Sequence, residues 1–222
     1  MAIENGFFIV FEGVDGSGKT TQANILYERL VTEGYSCTLT EEPGATKEGE
    51  VIKELLLNPD FKLTQKTELF LFLADRAQHV HKVIKPALNS GDIVISSRYF
   101  FSTLVYQGYA RKVASIDFLE ELNLFATDNT FPNLVFYIDV LPEERLSLAK
   151  NESSKKFGSL EGDRIEMEGL EFQNRVREGY LLLAKKYDEM FRVIDGRGDI
   201  LGINNLIYDI VKEVFNRGGI EK

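Results

Sequence analysis

The segment Gly13-Val14-Asp15-Gly16-Ser17-Gly18-Lys19-Thr20 follows an all-apolar run, Phe7-Phe8-Ile9-Val10-Phe11. It precedes a stretch with Ile25, Leu26 and Leu30 at helical spacing. Strand, glycine loop, helix is the order that phosphate binding requires. The glycines let the backbone curl until successive N–H groups point inward, and the helix N-terminus adds the positive end of its dipole. All eight residues, Gly13, Val14, Asp15, Gly16, Ser17, Gly18, Lys19 and Thr20, are therefore expected to cradle the phosphates of ATP. Lys19 reaches the β- and γ-phosphates, and the Thr20 hydroxyl is suited to ligating Mg²⁺.

Phosphoryl transfer between two nucleotides crowds anionic oxygens together, so the protein must supply positive charge and alignment. It needs no nucleophile, and an acceptor phosphate already ionised needs no general base. Lys19, Arg98 and Mg²⁺ are the obvious suppliers. Arg98 comes just after an apolar stretch ending near Ser96, at the carboxyl edge of a strand beside the loop, where a guanidinium fork suits phosphate. Between 65 and 89, Leu69, Leu73, Ala77, Val80, Ile84 and Leu88 recur at spacings of four and three and define a core-facing helical stripe. Phe72 and Arg76 lie on its flank, four apart, so an aromatic ring and a guanidinium share a face. Such a pair suits stacking on a pyrimidine and hydrogen-bonding its exocyclic oxygen; edge-of-core packing is the alternative for Phe72. Beyond Arg98, a helical pattern puts Ser102 and Tyr106 on one side with Thr103 close by, for which plain helix packing is the alternative. Asp163 and Glu166, in D-x-x-E spacing before an amphipathic stretch, read as a helix cap.

Composition limits the class. With 222 residues, 44% hydrophobic and 27% charged, the chain can bury one substantial core, and residues 1–222 are expected to form a single domain. A formal net charge of −9 argues against a protein that coats nucleic acid or anionic membrane. A single cysteine, Cys37, allows no internal disulfide, and His79 and His81 have no further histidine or cysteine to complete a metal cage. Both histidines are expected to be solvated helix residues. No apolar run reaches membrane-spanning length and the first residues lack a basic leader, so a soluble, cytoplasmic protein is expected.

These residues need a scaffold. Apolar segments at 7–11, 36–40, 92–96, 134–138 and 191–194 read as strands. Helical patterns fall at 19–33, 46–57, 65–89, 100–111, 115–127, 142–149, 165–189 and 203–216. The alternation predicts an α/β chain, three-layer α/β/α, with a five-stranded, mainly parallel sheet and helices on both faces. Ligands then collect at the carboxyl ends of the strands. The polar, glycine-containing stretch at about 150–163 breaks the pattern and reads as a lid over a nucleotide.

Several segments together resemble the thymidylate kinase family: FEGVDGSGKTTQ (11–22), EPGAT (42–46), ELFLFLADRAQ (68–78), SRYFFSTLVYQG (97–108), FATDNTFPNLVFYIDV (125–140) and DRIE with the following F and RVREGY (163–180). The resemblance covers most of the chain. It implies a P-loop kinase fold and transfer of the ATP γ-phosphoryl to thymidine monophosphate (dTMP), giving thymidine diphosphate for dTTP biosynthesis, with Mg²⁺ and usually in a homodimer. It implies that Lys19, Arg98 and Asp15 form the catalytic set. Arg98 would then meet the acceptor phosphate, and Asp15 would accept a hydrogen bond from the acceptor 3′-hydroxyl. Phe72 and Arg76 would hold the base, while Thr103 and Tyr106 lie against base and sugar, with the tyrosine disfavouring a 2′-hydroxyl; Gln107 belongs to the same signature. Asp163 and Glu166 would close over the acceptor with Arg164 near phosphate. Because Gly16 stands where other members have arginine, Lys150, Lys155 and Lys156 would supply the lid's positive charge.

Two positions depart from the family pattern. Ser97 replaces the aspartate of Asp-Arg-Tyr, and Glu41 replaces the first arginine of Arg-Glu-Pro-Gly-Gly, both where phosphate and metal belong. A deoxynucleoside kinase is the alternative enzyme; it would need a carboxylate base for a 5′-hydroxyl, and Glu41 or Glu42 are the candidates. A nucleotide switch is the alternative outside catalysis, and the missing guanine-reading N-K-x-D motif counts against a GTPase.

Overall fold

A strand buried on both faces reads as an unbroken apolar run, and the central strand of this protein does so from Phe7 to Phe11, with a charge only at its last residue, Glu12. In the computed structural model, which describes residues 6–143 and 169–220, β1 (Phe7–Glu12) is buried along its whole length. Phe7, Ile9 and Phe11 enter one core while Phe8 and Val10 enter the other, the period-two alternation of a strand. The other strands are β2 (Cys37–Glu41), β3 (Ile93–Ser97), β4 (Leu134–Asp139) and β5 (Phe191–Asp195). They form one sheet in the order β2-β3-β1-β4-β5, with every pairing parallel.

Helices cover both faces, giving the expected three layers. On one face α1 (Lys19–Thr32) and α8 (Ile200–Gly218) pack Leu26, Leu30, Ile207, Val211 and Phe215 against the sheet. On the other lie α3 (Gln65–His79), α6 (Ile116–Ala126) and α7 (Leu170–Lys186), contributing Leu69, Leu73, Leu119, Val176 and Tyr180. Helix α2 (Lys47–Leu57) packs beside α3, and the short α4 (Lys85–Asn89) continues the line of α3. Helix α8 starts three residues earlier than its apolar pattern suggests, because the Asp199 carboxylate caps it by accepting from the Gly202 N–H at 2.8 Å.

The two remaining helical stretches are not uniform. The 65–89 pattern is one continuous run, but Val80–Ile84 widens into a π-turn just before Pro86, whose missing N–H interrupts the α ladder. The 100–111 pattern divides into α5 (Phe100–Thr103) and a π-helical segment, Leu104–Ala110, which carries Tyr106 and Gln107. Among the described residues no helix is long and apolar enough to cross a membrane.

Candidate active site

The loop between β1 and α1 adopts the backbone its glycines allow. Gly13, Gly16 and Gly18 have φ of 155°, 74° and 85°. A Cβ on Gly13 would come within 2.6 Å of the Ser17 hydroxyl, so the cradle closes on itself where a side chain would fill it. That hydroxyl is buried without a hydrogen-bond partner. Lys19 is buried at the helix start, its Nζ 3.2 Å from Asp15 Oδ1 and 3.4 Å from the Val14 carbonyl. Burial, followed by the nearby Arg98 charge, lowers the lysine's pKa. Burial works against the Asp15 charge too, but Arg98 and Lys19 outweigh it and hold this carboxyl well below the usual range.

Arg98 follows β3 in the left-handed region, φ 74°, a strained conformation for a residue with a Cβ. The strain is held by its own N–H donating to the Phe11 carbonyl at 2.8 Å and by Ser96 Oγ donating to the Arg98 carbonyl at 2.8 Å. Its guanidinium bonds Asp15 through Nη2 and Ser102 Oγ through Nη1, the latter at 3.1 Å, and its Cζ lies 5.4 Å from the Tyr106 ring centroid. Two of five donors are thereby used.

Helix α3 delivers the second arginine differently. Arg76 is 2% exposed, and every donor it has meets a protein acceptor. Nε and Nη2 reach Glu42 at 2.9 and 2.8 Å, Nη1 reaches Thr103 and Asn123 at 2.8 and 2.6 Å, and Nη2 also approaches the Tyr99 carbonyl at 3.3 Å. Glu42 is shared. Its other oxygen is 2.9 Å from His79 Nδ1, while His79 Nε2 is 2.7 Å from Thr40. Burial opposes the Glu42 charge, and Arg76 with His79 more than offsets it, leaving its pKa lowered.

His79 corrects an expectation: it is fully buried, whereas His81 two residues on is exposed. Position 79 follows Arg76 by three and Asp75 by four, so the face that carries the charged pair carries the imidazole as well.

One cavity of about 200 Å³ joins these parts. Asp15, Lys19 and Thr20 line one end; Phe72, Arg76, Thr103, Tyr106 and Gln107 line the other, and Arg98 stands between. Phe72 is half-buried, the Tyr106 hydroxyl is buried without a hydrogen-bond partner, and Gln107 donates to Glu68 at 2.8 Å. Lys150, Lys155, Lys156, Asp163, Arg164 and Glu166 lie outside the described residues, as does the whole of the predicted lid.

The two departures are neighbours. Glu41 and Ser97 are directly paired in the β2–β3 register, and Ser97 Oγ lies 3.0 Å from Thr20 Oγ1. Glu41 is ion-paired with Lys53 at 3.1 Å. Among the described residues no three His, Cys, Asp or Glu side chains cluster as a metal cage. The Thr20 hydroxyl beside a phosphate cradle nevertheless fits Mg²⁺, a hard ion that keeps several waters and takes its other ligands from the nucleotide.

The comparisons with known proteins place the chain in a family. The thymidylate kinase family model matches residues 11–207. The chain belongs to the thymidylate kinase family. A thymidylate kinase of Caldanaerobacter subterraneus subsp. tengcongensis is 42% identical over 94% of this chain and 96% of that protein. One from Carboxydothermus hydrogenoformans is 48% identical over 86% of this chain and 90% of its own length. The crystal structure of thymidylate kinase from Ehrlichia chaffeensis superposes with a TM-score of 0.75, at 32% identity, covering 94% of this chain and 99% of that one.

Within this thymidylate kinase fold, sequence reasoning gave no site role to Glu12, Asn123 or Tyr180. Glu12 carried a signal: a charge closing an otherwise apolar strand. Asn123, inside an apolar helical stretch, carried a weaker one of the same kind.

Proposed function

We propose that the protein transfers the γ-phosphoryl group of ATP to dTMP in the cavity between the phosphate loop and α3. The single observation that carries this reading is the continuity of that cavity. A loop suited to a triphosphate, an arginine with donors to spare and a recess floored by Phe72 and Arg76 open into one another. Gly13 to Thr20 hold the ATP phosphates, and Lys19 meets the charge that develops on the transferred group. Mg²⁺, when bound, neutralises phosphate charge, and Thr20 is the residue that would hold it. Arg98 takes the acceptor phosphate. Asp15 restrains both cations and accepts from the acceptor 3′-hydroxyl. Phe72 contacts the base, and Arg76, its donors already taken by protein acceptors, bounds the recess instead of donating to the exocyclic oxygen as its spacing with Phe72 suggests. Thr103 and Gln107 line the base's edge, and Tyr106 crowds the sugar's 2′ position. Lys150, Lys155, Lys156, Asp163, Arg164 and Glu166 belong to this reading through the resemblance alone.

The nucleoside-kinase alternative loses ground. Glu42 is committed to Arg76 and His79, and Glu41 to Lys53, so each candidate base is already paired. We also read the protein as a homodimer. Phe70, Phe118, Phe125 and Val51 are more than half exposed on α3, α6 and α2, helices that pack side by side. A coupled assay over dTMP, uridine monophosphate and thymidine tests the activity: dTMP is expected to be the best acceptor. Lys19→Ala is expected to cut turnover by about 10²–10³ with the fold intact. Equal use of the ribonucleotide, a preference for thymidine, or near wild-type turnover in the variant would overturn it.

A further inference from the structure

Behind the phosphate-binding groups lies a carboxylate that touches neither cavity nor solvent. Glu12, at the end of β1, is 0% exposed. Four donors converge on it: the N–H groups of Tyr99 and Ser102 on Oε1, at 3.0 and 3.2 Å, and the hydroxyls of Ser102 and Tyr180 on Oε2, at 2.7 and 2.8 Å. Burial raises the Glu12 pKa, while the nearby Arg98 charge and these hydrogen bonds work the other way; in its ionised form the carboxylate only accepts and satisfies all four donors.

From this geometry we infer that Glu12 is a positioning residue for phosphoryl transfer, holding Arg98 in its productive orientation through Ser102. The inference rests on the reading of Arg98 as the acceptor-phosphate arginine. Three of these contacts carry it. The Tyr99 and Ser102 N–H groups anchor the first turn of α5 to β1, which fixes the left-handed Arg98 immediately before it. The Ser102 hydroxyl spends its one proton on Glu12 and so turns a lone pair to Arg98 Nη1 at 3.1 Å. With glutamine at position 12, the amide N–H₂ would compete as a donor, and Ser102 would rotate its proton toward the guanidinium. Tyr180, stacked on Tyr137 with centroids 4.8 Å apart, closes the ring of contacts from α7.

The test compares two ligands that differ only in the phosphate. Calorimetric titration of Glu12→Gln is expected to show dTMP affinity reduced about tenfold, the loss of one charge-assisted hydrogen bond, with thymidine affinity within about twofold of wild type. In kcat/KM, Glu12→Gln combined with Arg98→Ala is expected to be no worse than Arg98→Ala alone, within about threefold. Equal weakening of both ligands, or full additivity, overturns the inference. If Arg98→Ala itself leaves dTMP binding unchanged, the reading of Arg98 fails instead. Should Glu12→Gln fail to fold, Ser102→Ala, which cuts only the link, must reproduce the dTMP-selective loss; unchanged dTMP affinity in that variant overturns the proposal.

Discussion

The cavity's two arginines are built to opposite specifications. Arg76, toward the base end, is buried, sits in an ordinary helix and has its donors taken up by Glu42, Thr103, Asn123 and the Tyr99 carbonyl. Arg98, toward the phosphate end, occupies a strained turn and keeps most of its donors uncommitted. A saturated guanidinium makes a rigid wall whose shape discriminates; an unsaturated one meets charge that arrives with substrate. One is part of the fold, and the other is held in reserve by it.

Truncating each arginine separates the roles. Arg76→Ala leaves Glu42 buried beside His79 without its main partner, and is expected to destabilise the fold by about 3–5 kcal/mol in denaturant melts. Arg98→Ala leaves Asp15 its lysine and some solvent, so stability should fall by about 1–2 kcal/mol, less than in Arg76→Ala. Turnover in that variant should fall by about 10²–10³. A stable Arg76→Ala together with an unfolded Arg98→Ala would reverse the comparison.

The saturated end also has a titratable weak point. Burial, with the Glu42 charge beside it, pushes Asp75 up to about 6, while its Oδ1 accepts from the Gly44 N–H at 3.1 Å. The unfolded carboxyl titrates near 3.8, so between about pH 4 and 6 the folded chain binds the extra proton, and stability falls as pH rises through that window. Asp75→Asn, which mimics the protonated form, is expected to be more stable than wild type above pH 6. Discounted for solvent screening, the gain is on the order of 1–2 kcal/mol and fades toward pH 4. Thermal melts at several pH values check this, and a gain that grows toward acid would contradict it.

The smallest effect expected lies where the two ends meet. Tyr106 has a buried hydroxyl without a partner, so Tyr106→Phe should leave stability within about 1 kcal/mol of wild type. If that hydroxyl bonds the acceptor, KM for dTMP should rise about fivefold with kcat little changed. An unchanged KM would confine Tyr106 to steric exclusion.

How legible each end was follows from its physics. The phosphate loop is a local object: its glycines, lysine and threonine act through contiguous backbone, so eight consecutive residues suffice to identify it. The strands were legible because burial on both faces forces unbroken apolar runs, as in Phe7 to Phe11. Departures were legible too, since Ser97 and Glu41 stand out against a family pattern. Their adjacency was not, because register between β2 and β3 is a pairing of distant segments.

The sequence by itself determined the layered α/β architecture, the phosphate cradle and the arginine at the carboxyl edge of β3, which follow from periodicity and a contiguous motif, and it pointed to the family through the resemblance of several segments. Tertiary structure decided which polar residues are partnered. His79 reads as a surface histidine until β2 and the turn after it bring Thr40 and Glu42 against it, 39 and 37 residues away in the chain. Glu12 becomes the anchor of Arg98 only because β1 and β3 are neighbours and α7 returns Tyr180 from 168 residues away. A buried charge is tolerated through its partners, and partners from separate elements leave no period in the sequence.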